Sequence, residues 1–168
     1  MLKLHGSVDW ERRGETTRRV TDPFFAVSSD RPESLAIATP GPSKKLATSG
    51  YLKPLWDRAA TALQNASAVI FVGYRFPPSD SLARERLLTA LAEPGVGARR
   101  SIAVHTILGP DVGSPPSARL AGLVRGMLEG AGWNDNGASG QGRFSLKQHP
   151  LYGQDFMSVF RRDWLFAP

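Results

Sequence analysis

The sequence predicts an α/β fold, a largely parallel sheet flanked by helices, on three observations. Strand-length apolar runs alternate with helical stripes along the chain. Each run is closed by glycine or proline. The runs are continuously apolar, as strands buried on both faces of a parallel sheet are.

Taken in order, Met1 to Leu4 has strand-like apolar character and starts without a preceding turn. Residues 9–34 are polar and charged without a sustained period, apart from the patch Phe24, Phe25 and Val27, and read as a surface insertion or small subdomain. Leu35 to Thr39 is a short strand closed by Pro40-Gly41-Pro42. Leu52, Leu55, Trp56, Ala59, Ala60 and Leu63 then fall at i, i+3, i+4, i+7, i+8 and i+11, the stripe of an amphipathic helix ending near Asn65. Ala68 to Val72 is a buried strand terminated by Gly73.

Pro77-Pro78 blocks helix continuation, and Ser79 and Asp80 are N-cap residues for a helix from Leu82 to Leu91. Ile102 to Leu108 is the next strand, closed by Gly109-Pro110, and Leu120, Val124, Met127 and Leu128 mark a third helix. Residues 131–168 read as a loop and helix: the glycine-rich NDNGASGQG, then Tyr152 to Leu165 with Phe156, Phe160 and Trp164 at i, i+4 and i+8, a docking helix. The strand-helix repeats thus span 35–130, and the 168 residues, 41% of them hydrophobic, suffice for the core of a single domain.

Composition excludes several functions. With no cysteine there is no disulfide, thiolate zinc site or cysteine nucleophile, and the three histidines have no metal-ligand spacing. No window reaches the roughly 20 apolar residues of a membrane span, and the start lacks a secretory layout, which points to the cytoplasm. The net charge of +6 is dispersed in arginine pairs such as Arg12-Arg13 and Arg161-Arg162, a solvated basic surface rather than a nucleic-acid face.

Open α/β sheets collect ligands at the carboxyl ends of their strands. Two segments are placed there by this reading: LKLHGSVDW, from Leu2, and VIFVGYRFPPSD, ending at Asp80. KLHGSVDW resembles the histidine-glycine motif of sirtuin-like (silent-information-regulator-type) NAD-binding domains. IFVGYRFPPSD is similar to a later strand-turn segment of their zinc-free bacterial branch, and ATPGPSKKL and LKPLWDRAATAL resemble the segments between. These matches keep the family's order from His5 to about Leu91, roughly half of the chain.

The resemblance implies a Rossmann-like, sirtuin-type sheet with NAD as substrate and no metal. It implies that His5 is the catalytic base, acting on a ribose hydroxyl while the nicotinamide C–N bond breaks; imidazole, with a reference pKa of about 6.5, suits that work. Gly6 and Ser7 would lie against the cofactor, and Gly73, Tyr74 and Asp80 by its ribose. The residues alone also allow plainer roles: a structural histidine, a turn glycine at Gly73 and a helix N-cap at Asp80. His105, inside an apolar strand, and His149, beside Pro150, receive no role.

Two departures shape the expectation. The four zinc-ribbon cysteines of classical deacylases are absent, which points to the relatives associated with NAD hydrolysis and phage defence. The family's glycine-rich pyrophosphate turn and its water-orienting asparagine precede the histidine motif, whereas here Met1 stands four residues before His5. The reading is therefore the C-terminal portion of such a domain, N-terminal part missing. It is expected to be weak or inactive alone, as a truncated frame, a decayed gene or one part of a split protein. Its partner would be a chain supplying the missing half, or a second copy, with no membrane; a basic nucleic-acid-associated module is a weaker third option. The parental reaction is hydrolysis of NAD to nicotinamide and ADP-ribose; the rival is a non-catalytic interaction module.

Overall fold

The computed structural model describes residues 2–22, 34–38, 50–93, 101–135 and 142–161. The chain divides into two compact units, Met1–Ala60 and Thr61–Pro168, where the sequence was read as one incomplete domain.

In the first unit, strands β1 (Gly6–Arg13), β2 (Thr16–Arg19) and β3 (Leu35–Ile37) form an antiparallel sheet in the order β2-β1-β3. The expected opening strand is not there: Leu2 and Lys3 lie outside regular structure, Leu4 and His5 form a turn, and the Gly6 amide donates to the Lys3 carbonyl at 2.9 Å. Instead, the polar stretch folds as a hairpin around Gly14, which takes the left-handed φ of 58°. Opposite charges face each other in its register, Glu11 across from Arg18, a pairing that favours this alignment. Asp9 binds Arg19 at 2.9 Å and Lys3 at 3.3 Å. Leu52, fully buried, leads into helix α1 (Lys53–Asn65), whose Trp56 is also buried, as the apolar stripe requires.

The second unit carries β4 (Ala68–Val72), α2 (Ser81–Ala92), β5 (Ser101–Ile107), α3 (Pro115–Gly130), β6 (Trp133–Asn134), β7 (Gly142–His149) and α4 (Gly153–Val159). Its four strands are all parallel, in the order β4-β5-β7-β6, so the α/β sheet flanked by helices is present. Side chains alternate across the sheet. Ile102 and Val104 of β5 and Phe144 of β7 pack with Leu88 and Leu91 of α2 and Leu120, Val124 and Leu128 of α3. The Trp133 indole ties β6 to the end of α2 by donating to the Ala92 carbonyl at 2.7 Å.

The segment read as loop and helix is corrected here. β7 runs through it and sits between β5 and β6, where it completes the sheet. The last helix ends at Val159, because Phe160 turns to extended backbone; Phe156 is buried as a docking residue should be. Phe24, Phe25, Val27, Thr39 to Pro42, Gly137 and Trp164 lie outside the described residues. Among the described residues no helix is long and apolar enough to cross a membrane.

Candidate functional site

The sequence-predicted residues fall into two local structures. At the first, His5 precedes an antiparallel strand rather than ending a parallel one. The Leu2-Leu4 strand that would have put it at a carboxyl end does not form. The imidazole is exposed on one side and meets the Trp56 ring edge-on, with centroids 5.7 Å apart. The His5 carbonyl accepts from the Ala38 amide at 2.8 Å, which fixes the turn to the chain beyond β3. Gly6 is required by the fold itself: its φ is 77°, and a Cβ there would stand 1.8 Å from the Ala36 carbonyl oxygen. The close approach at Gly6 is thus to the protein's own β3.

Ser7 is committed too. Its hydroxyl accepts from Lys3 Nζ at 2.7 Å. The Ser7 hydroxyl, with Arg19 and Lys3, holds the Asp9 carboxyl down to about 2. An open cleft of about 420 Å³ lined by Asp9, Arg19, Val20, Thr21 and Asp22 contains none of the candidate residues.

The second local structure lies at the carboxyl end of β4, where the sequence expected it. The Gly73 amide donates to the Ile107 carbonyl at 2.9 Å, so the turn begins while still joined to β5. Gly73 has φ 69°, but a Cβ added there would meet nothing within 4 Å. Its surroundings are open, unlike those of Gly6.

Beyond it the Tyr74 hydroxyl donates to the Asp80 carboxylate, which is 6% exposed. Burial, reinforced by that bond and by the Asp80 charge, pushes the Tyr74 phenol well above its usual value, so it stays protonated at any physiological pH. Asp80 stands at the N-cap of α2, yet its side chain makes no capping hydrogen bond. The cap reading therefore gives way to a buried Tyr74–Asp80 pair.

Sequence reasoning missed what holds this turn. Phe76 is fully buried with φ 47°, a left-handed conformation unusual for a side chain of this size. It is held edge-on by Phe71 and Tyr74, at 5.4 and 4.6 Å between centroids. Arg119 of α3 donates to the Phe76 carbonyl at 3.0 Å and to the Arg75 carbonyl. The run Phe71 to Phe76 showed its aromatic density in the sequence; the Arg119 clamp, 43 residues from Phe76, had no local signal.

A second pair also escaped the sequence. His105 of β5 and His149 of β7 place Nδ1 and Nε2 2.9 Å apart, with the rings stacked at 23°. Among the described residues no group of three or more metal-binding side chains converges. Compared with family models, curated proteins and solved structures, the chain matches none.

Proposed function

We propose that the chain is a sirtuin-like, NAD-consuming domain of the zinc-free kind, whose reaction is hydrolysis of NAD to nicotinamide and ADP-ribose. One observation carries the reading. The segment most similar to that family, Ile70 to Asp80, forms the carboxyl end of a parallel strand, with an open glycine turn and a buried Tyr74–Asp80 pair behind it. Polar groups in that position of an α/β sheet meet ligands in many folds, because the loops there are free to carry them.

In this reading Gly73 gives the nucleotide close access to backbone. Tyr74 and Asp80 offer acceptors to ribose hydroxyls from a framework that does not have to reorganise on binding. His5 takes the proton of a ribose hydroxyl as the C–N bond breaks and its electron pair leaves with nicotinamide; water then adds to the ribose carbon and gives up one proton to solvent, and His5 returns its proton to the ribose oxygen. Its exposed imidazole, steadied by the Trp56 edge, is reachable by substrate. Gly6 and Ser7 enter as the residues that shape this turn.

The test is nicotinamide release from NAD by the purified chain and by His5→Ala. Loss of a positioned base costs 10²–10⁴-fold, so the variant is expected to fall about 100-fold or more with NAD binding retained. Equal release by the two proteins removes His5 from the chemistry.

A further inference from the structure

The histidine pair lies in the second unit and is independent of the proposed reaction. His105, 2% exposed, and His149, the last residue of β7, project from the sheet face opposite the α2–α3 core. Phe156 of α4 packs on the His149 ring with centroids 5.2 Å apart, and Phe156 is itself buried. The helix has seven residues, too few to persist without docking. The Phe156 contact and the ring beneath it are thus part of what attaches it to the sheet, together with the approach of Gly153 to Val72.

Two imidazoles facing nitrogen to nitrogen hold one shared N–H when both are neutral: one ring donates it and the other accepts. A further proton places a charge in the pair, and a second would set N–H against N–H. Among the described residues, the charged group nearest in register opposes this. Lys147, on the same face of β7, is positive. On β4 the residue level with His105 is Ile70, which carries no charge. Asp155, the one charged residue of α4, is exposed.

We propose that the His105–His149 pair is a proton-operated latch, which fastens α4 to the sheet while the two rings share one N–H and lets it go when mild acid protonates both. Burial first, then His105 and Lys147, pushes His149 below its ordinary value near 6.5. A histidine depressed in the folded state binds more protons when released. The stabilisation is complete above about pH 6.5 and is lost as pH falls from there through the folded value.

Hydrogen exchange of the full chain at about pH 7.5 and about pH 5, corrected for intrinsic rates, reads the latch directly. The amides of Gly153–Val159 lose protection by about tenfold at the lower pH, while those of Pro115–Gly130 do not change. In His149→Gln, which cannot charge, the α4 amides no longer respond to pH. Unchanged α4 protection in the wild type overturns the latch, as does a response that survives in His149→Gln. Should that variant not fold, the wild-type imidazole titration decides. The His149 resonances and the α4 amides must move with one midpoint below 6.5, and separate midpoints overturn the proposal.

Discussion

Gly6 and Gly73 have nearly the same backbone conformation, φ 77° and 69°, and opposite surroundings. At Gly6 a side chain would collide with the Ala36 carbonyl, 1.8 Å away; at Gly73 it would meet only open space. A glycine enclosed by its own fold has a sufficient structural reason to be glycine. A glycine that faces open space at the end of a parallel strand leaves room for something else to approach. The difference assigns the Gly6 turn to architecture and leaves the Gly73 turn open among the described residues, as the proposed role of Gly73 requires.

The comparison can be broken by substitution, and the largest effect belongs to Gly6→Ala. Overlap with β3 backbone, which cannot swing aside as a side chain can, adds to the strain of a positive φ, and the first unit should lose more than about 3 kcal/mol in a denaturant titration. An intermediate effect is expected for Tyr74→Phe, which removes a hydrogen bond to a buried charged group and should cost about 2 kcal/mol in the second unit. Gly73→Ala should cost the least, about 1 kcal/mol from backbone strain alone. If NAD approaches there, this variant weakens its binding by more than its stability loss explains. Equal destabilisation by Gly6→Ala and Gly73→Ala would erase the distinction.

Much of the second unit was legible because its strands obey one rule. Ala68–Val72 and Ser101–Ile107 are almost continuously apolar, and the stripe of Leu120, Val124 and Leu128 marks the helix face that covers them. β7 broke the rule. Phe144 and Leu146 alternate with Arg143, Ser145 and Lys147, so a strand with neighbours on both edges carries the period-two pattern expected of a half-solvated one. The first hairpin was hidden for a different reason: its register rests on pairs such as Glu11 with Arg18, and such charges read locally as loop.

The sites were legible to a similar degree. Tyr74 and Asp80 were found as a motif, but their partnership crosses a turn closed by Pro77 and Pro78, and local propensity at Asp80 favoured a helix cap. Arg119 and the His105–His149 pair connect residues 43 or more positions apart and depend on strand order, which no single segment records.

The His5 assignment is open to one direct measurement, the imidazole resonances of His5 in the folded chain as NAD is added and nicotinamide is followed in the same sample. The account predicts that they shift saturably and that nicotinamide accumulates. Nicotinamide accumulation with the His5 spectrum unmoved would contradict it.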